Sequence, residues 1–192
     1  MSKQSTDHAI RFFDIAFATI GLLVGSPILL ILIVIGLVDT GSPFFLQLRV
    51  GLREKPFTLI KFRTMKKDTP SVATHLSSYN SITKTGKFLR KTKLDELPQL
   101  INVLFGQMSI VGPRPGLQNQ TELTNERKKF NVFRAKPGIT GLGQTLGIDM
   151  STPRKLARYD NLMIKKINLA LYFYLISVTI FGRGQGDRIK PK

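Results

Sequence analysis

At 192 residues the chain is long enough for one domain with a real core, and its 29 Lys and Arg against 12 Asp and Glu give a formal charge of +17. That excess calls for a polyanionic partner: nucleic acid, an anionic membrane surface or phosphorylated substrates. No Cys is present and only two histidines, so disulfides, thiolate metal sites, His triads and multi-His zinc sites are excluded, and catalysis has to rest mainly on carboxylates.

Residues 1–14 are polar and short, with Arg11 and Asp14 bracketing Phe12-Phe13. From Ile15 to Val38 no residue is charged, a run of about 36 Å as a straight helix against a hydrocarbon core of about 30 Å. Hydropathy alone reads this as a transmembrane span. Two features favour another geometry. Gly25-Ser26-Pro27 interrupts the run at its middle, where Pro27 lacks an N–H and Ser26 can bond the freed carbonyl. Basic residues also flank both ends, Lys3 and Arg11 before it and Arg49, Arg53, Lys55, Lys61 and Arg63 after it. A helix–break–helix that enters and leaves on one face keeps both flanks inside.

Phe44 to Val50 and Phe57 to Phe62 alternate apolar and polar around Gly-Leu-Arg-Glu-Lys-Pro, the pattern of a β-hairpin. Lys61 and Arg63 alternate with Ile60 and Phe62 and so share a strand face, either solvated or turned toward a phosphate. Residues 66–86, rich in Ser and Thr, read as a long loop, with a substrate lid or acceptor-facing segment as the functional expectation.

Asp95-Glu96 is the only place where two of the acids are adjacent, with Arg90, Lys91 and Lys93 just before and Arg114 after. This cationic setting favours ionised carboxylates. One of them can attack phosphorus while its neighbour holds a divalent metal, which suits phosphoryl transfer. The plainer reading is a helix start, with Thr92-x-x-Asp95 as a capping box. Leu94, Leu97, Leu100, Ile101, Leu104 and Phe105 form an amphipathic stripe, with Pro98 in the first turn and Gly106 as the stop, so a helix is expected over Leu94 to Phe105. Asp95 would then sit at a helix N-terminus, a place that attracts anions. Gly112-Pro113-Arg114-Pro115 is a rigid turn that displays one guanidinium, suited to phosphate. Residues 118–130 read as a charged, solvated helix. Arg134-x-Lys136-Pro137-Gly138 makes another basic turn. Pro153 to Phe181 is helical in pattern, basic and amphipathic first and uncharged from Ile167, and fits a membrane-interface helix or a core helix equally. Residues 182–192 read as a basic, disordered tail.

Gln47-x-Arg49-x-Gly51, Phe57-x-x-x-Lys61-Phe62-Arg63-Thr64-Met65, Leu94-Asp95-Glu96-Leu97-Pro98-Gln99, Gly112-Pro113-Arg114-Pro115 and Lys136-Pro137-Gly138-Ile139-Thr140-Gly141 stand in the order and spacing of the bacterial sugar transferases. From about Arg11 to about Gln144 the chain resembles these monotopic phosphoglycosyl transferases, as a minimal member with the catalytic domain alone. The resemblance implies transfer of a sugar 1-phosphate from a UDP-sugar to a polyprenol phosphate with release of UMP, at the start of capsule, O-antigen or glycoprotein assembly. It implies Asp95 as nucleophile through a phosphosugar-aspartyl intermediate, Glu96 as Mg²⁺ ligand, and Arg114 with Pro113 as the phosphate-binding element. Arg90, Lys61, Arg63 and Arg134 would be supporting cations, and the Lys136-Pro137-Gly138 turn would lie near the nucleotide. It also implies a re-entrant hairpin broken at Ser26-Pro27, with the active site on the cytoplasmic face of the inner membrane. The chain departs from the family pattern at Met163-Ile164 and near Tyr172.

The expected fold is therefore α+β and membrane-associated: a hairpin over 1–40, then a β-hairpin and amphipathic interfacial helices in a catalytic domain over 41–181, then the tail. Anionic lipids are expected partners; nucleic acid is not, since no recognition helix, zinc finger or RNP-type strand is present. A basic scaffold that binds anionic lipids without catalysis is the rival reading, and it has no use for Asp95-Glu96.

Overall fold

The computed structural model describes residues 3–69 and 81–181. The expected tail, and the central part of the loop expected over 66–86, lie outside these residues. In chain order the elements are α1 (Lys3–Thr40), β1 (Phe44–Val50), β2 (Pro56–Phe62), α2 (Lys84–Thr92), α3 (Gln99–Leu104), β3 (Ser109–Val111), α4 (Thr121–Lys129), β4 (Gly138–Thr140), α5 (Leu142–Thr145), α6 (Pro153–Lys166) and α7 (Leu169–Ile180). The mixture of helix and strand agrees with the α+β expectation.

α1 is one helix with Pro27 inside it, where a break between two helices was expected. Proline has no N–H for the carbonyl four residues back, which here is Leu23. Ser26 Oγ donates to that carbonyl at 2.8 Å, so the freed acceptor is satisfied locally and the chain stays helical. α1 is long and apolar enough to cross a bilayer by length and composition. Even so, it packs along much of its length on the rest of the chain. Arg11 donates to the carbonyls of Val103 and Leu104 at 2.7 and 3.1 Å. Ala18 joins Phe57, Leu59, Val103 and Met108 in one core cluster, and a Cβ at Gly21 would come within 2.8 Å of Leu100. Leu32 joins Phe62 and Leu89 in another, at about 1.5–3 kcal/mol for each large side chain fully buried. Near its end Asp39 accepts from Thr83 Oγ1 at 2.7 Å. Its other face leaves Phe12, Leu23, Val24, Leu30 and Val38 exposed.

The β-hairpin forms as the alternation predicts, antiparallel from Phe44↔Phe62 to Val50↔Pro56. Arg53 and Glu54 take left-handed conformations in its turn, at φ 52° and 62°. The free edge of β2 is closed by one buried side chain: Asn102 Nδ2 donates to Thr58 O and its Oδ1 accepts from Ile60 N, at 2.8 and 3.1 Å. This fixes α3 against the hairpin.

β3 and β4 pair in parallel, Ser109 with Gly138 and Val111 with Thr140. Two motifs cross here backbone to backbone. A Cβ on Gly138 would lie 2.0 Å from Gly112 N, and one on Gly112 would lie 2.5 Å from Lys136 O. Only glycine fits at both positions. The helical pattern expected over Pro153–Phe181 is divided between α6 and α7 at Asn168, whose Oδ1 accepts from Leu171 N at 2.8 Å as an N-cap. α7 is both core and surface. Tyr172 and Leu175 are fully buried beside Val111 and Met163, whereas Tyr174 and Ile180 are exposed.

Candidate active site

Asp95 and Glu96 lie in a 3₁₀ turn, Leu94–Glu96, between α2 and α3. The expected helix from Leu94 to Phe105 is therefore shorter, with α3 beginning at Gln99. The capping box is also corrected. Thr92 Oγ1 donates back to the carbonyls of Phe88 and Leu89 in α2, at 2.9 and 3.1 Å. The chain instead reverses at Lys93, which adopts φ 59°, ψ 14°, a left-handed conformation that costs a side-chain-bearing residue about 1 kcal/mol or more. Lys93 Nζ donates to Thr179 O near the end of α7 at 3.0 Å and so anchors the turn. A dipole argument for Asp95 loses its long helix. What the turn does is hold the two carboxylates side by side, Asp95 buried and Glu96 half-buried.

Glu96 Oε1 accepts from Arg114 Nη2 at 2.9 Å, and Lys61 Nζ lies 3.5 Å from the same oxygen. Residues from three separate motifs thus meet on one carboxylate. Arg114 is fixed by its backbone. The carbonyls of Pro113, Arg114 and Pro115 accept from Gly138 N (2.9 Å), Arg127 Nη1 (2.8 Å) and Arg49 Nη1 (2.9 Å) in turn. Three successive carbonyls are therefore pinned by β4, α4 and β1. Pro113 offers no N–H to an anion, and its part is to shape this turn.

Arg127 is itself held by Asp160 of α6, Nη2 at 2.7 Å and Nε at 3.0 Å from the same oxygen, with both side chains 3% exposed. The expectation of a solvated helix over 118–130 fails here, because the inner face of α4 buries Leu123 and this arginine. Burial pushes the Asp160 carboxyl above the ordinary carboxylate range, and the guanidinium opposes that. Neither residue was singled out from the sequence. One signal was available: Asp160 is the only acid between Pro153 and Phe181.

The remaining candidates fall in other places. Arg90 Nε donates to Thr64 Oγ1 at 2.8 Å, which ties α2, and so the approach to the dyad, to the end of the hairpin. Arg63 donates to the carbonyls of Ser42 and Phe44 at 3.2 Å each and lies over the Phe45 ring, so the structure uses it to hold the α1–β1 connection and does not bring it onto Glu96 with Lys61. Arg134 donates to Asn161 at 3.2 Å and lines a separate cavity. Ser26 and Pro27 lie within α1. The two departures from the family pattern have packing uses: Tyr172 donates to Asp14 at 2.9 Å, and Met163 Sδ accepts from Leu142 N at 3.2 Å.

Gln99, one turn after the dyad, was also missed as a site residue. It is buried, and its Nε2 has no hydrogen-bond partner among the described residues. Buried donors are rarely left unmade, so this one invites an acceptor from a ligand. Among the described residues no group of three or more His, Cys, Asp or Glu could hold a metal. Mg²⁺ commonly takes only one or two protein carboxylates, with substrate phosphates and water completing its shell. Glu96, with Asp95 beside it, fits that donor set.

The profile of the bacterial sugar transferase family matches residues 5–184. The chain is 40% identical over 171 residues to the uncharacterized sugar transferase EpsL of Bacillus subtilis (strain 168), covering 88% of this chain and 84% of that protein. It is 34% identical over 199 residues to the exopolysaccharide production protein ExoY of Rhizobium meliloti (strain 1021), covering 92% and 87%. It is 38% identical over 181 residues to a UDP-glucose:undecaprenyl-phosphate glucose-1-phosphate transferase of Klebsiella pneumoniae, covering 89% of this chain but 39% of that longer protein. With a family match over residues 5–184, and with Lys61 and Arg114 from two further motifs meeting on Glu96, this chain belongs to the bacterial sugar transferase family.

Proposed function

We propose that the protein transfers a sugar 1-phosphate from a UDP-sugar to a polyprenol phosphate and releases UMP, the first membrane step in assembling a glycoconjugate. The observation that carries this reading is Glu96 held by both Arg114 and Lys61 beside the buried Asp95. An Asp95 carboxylate oxygen attacks the sugar-bearing phosphorus. The bond from that phosphorus to the bridging oxygen breaks, and its electron pair leaves on UMP. A phosphate oxygen of the polyprenol phosphate then attacks the same phosphorus and breaks the bond to Asp95, giving a polyprenyl diphosphosugar and the free carboxylate. Arg114 and Lys61 orient the diphosphate and offset its charge. Arg90 supports them through Thr64. Glu96 would hold Mg²⁺, which supplies charge neutralisation on the diphosphate.

The same reading makes the protein monotopic, on the cytoplasmic face of the inner membrane among anionic lipids, with α1 re-entrant at Ser26-Pro27. Its support is the packing of α1. Arg11 and Asp39 both contact the one folded body, although a straight helix between them would measure about 42 Å, longer than a hydrocarbon core of about 30 Å. A straight crossing would leave one of them on the far side. Cysteines placed singly at Gln4 and Lys155 should label from the same side of a sealed vesicle; opposite sides would rule out the re-entrant reading.

The transfer is tested with protein in nanodiscs, supplied with Mg²⁺, polyprenol phosphate and a panel of UDP-sugars. UMP release is expected with at least one donor, and Asp95→Asn should lower it by at least about a thousandfold. Release that survives in Asp95→Asn would remove the covalent route.

A further inference from the structure

A cavity of about 510 Å³ lies between the first turns of α1, the Ser109–Pro113 segment and the C-terminal part of α6. Its lining includes Pro113 and Gly112, but Asp95, Glu96, Lys61 and Arg114 take no part in it. One wall is apolar, with Met163, Ile164 and Ile167; another carries Arg11, Arg134 and Lys136.

Lys136 stands out. It is half-buried, yet its ammonium has no hydrogen-bond or ion-pair partner among the described residues. Arg11 approaches it: a Cβ on Gly106 would lie 3.6 Å from Arg11 Nη2 and 3.6 Å from Lys136 Nζ. Burial and the Arg11 charge both push Lys136 below the usual lysine range, with Asp14 opposing. Two acids line the same cavity, but neither answers the ammonium. Asp14 Oδ1 already accepts from Ser109 Oγ, Ile110 N and Tyr172 OH, and Asp7 is exposed. A half-buried ammonium beside a guanidinium is a place for an anion, and a phosphate oxygen supplies charge-assisted hydrogen bonds to both.

The neighbours of these cations indicate what carries the phosphate. Phe12 follows Arg11 in the chain and is 67% exposed; Phe105 precedes Gly106 and is 77% exposed. Phosphate and hydrocarbon would thus be offered contacts side by side. We infer that Arg11 and Lys136 bind the phosphate of an anionic glycerophospholipid beside this cavity, at a site separate from the dyad. The inference rests on the reading of α1 as membrane-embedded. It adds a particular lipid contact to the general attraction of a +17 chain for anionic surfaces.

The test uses the full chain in nanodiscs of phosphatidylcholine and phosphatidylglycerol, with native mass spectrometry to count the lipids retained on release. Wild type should retain phosphatidylglycerol in preference, and Lys136→Gln should cut that retention about tenfold. Lys136→Arg should preserve it. Lys155→Gln, which removes an exposed cation from α6, should leave it nearly unchanged. Lys136→Met repeats the measurement with the apolar stem kept, should the glutamine variant fold poorly. Equal retention by wild type and both neutral variants would overturn the proposal, as would an equal loss in Lys155→Gln. Displacement of the lipid by UMP or inorganic phosphate would assign the cations to a soluble phosphate and also overturn it. UMP release is scored separately on the wild-type sample, so failure here and failure of the transfer reading are distinguishable.

Discussion

Asp160 and Glu96 are both held by arginine at hydrogen-bonding distance, yet the two corners differ in closure and in company. Asp160 meets Arg127 through two nitrogens, both side chains are 3% exposed, and the third guanidinium nitrogen is committed to the carbonyl of Arg114. Glu96 shares one oxygen between Arg114 and Lys61, and the three side chains keep 11%, 15% and 9% of their surface open. A closed one-to-one pair can hold a shape and do little else. A carboxylate that two cations share can exchange partners, since a phosphate oxygen can compete with it for either cation. In this fold the first corner builds the second, because the Asp160–Arg127 pair ends on the backbone of Arg114.

The comparison breaks if the two corners respond alike to mutation. Asp160→Asn should have the largest effect on the fold, about 3–5 kcal/mol lost in reversible unfolding, because Arg127 is left charged and buried. Pairing Asp160→Leu with Arg127→Met should recover most of that stability. UMP release should nevertheless fall in the double variant, since Arg127→Met takes the donor from the Arg114 carbonyl. Full recovery of both would show that the pair positions nothing. Glu96→Gln should do the reverse, with UMP release down about a hundredfold and a smaller loss of stability than Asp160→Asn, since the amide keeps an acceptor oxygen for Arg114. A large loss of stability there would make Glu96 part of the frame and remove the contrast.

Local patterns were legible in the sequence, and long-range pairings were not. The β-hairpin could be read because alternation and turn residues are local signals, and the observed strands differ from the expected ones by the addition of Pro56. The dyad could be read because two adjacent acids are conspicuous in so basic a chain. The cap on the turn was misread because Thr92-x-x-Asp95 satisfies a local rule, whereas the left-handed Lys93 is held by Thr179, 86 residues away. Arg63 looked equivalent to Lys61 by strand periodicity, but β2 ends at Phe62, and beyond it the alternation has no force. Arg127 falls in a stretch that reads as a solvated helix, and nothing local ties it to Asp160, 33 residues on, until α4 and α6 pack together.

The reach of Asp14 across the chain has a consequence for synthesis. This carboxylate sits in α1, and its donors are Ser109, Ile110 and finally Tyr172, 158 residues later. During translation α1 therefore emerges well before any of the three donors to its acid. The helix can enter lipid early, and its hold on the body is completed only when α7 supplies the third of these donors. The last helix of the catalytic body closes the hydrogen-bonded latch that the first one carries, so stopping translation before Tyr172 should leave a chain that is inserted and still unlatched.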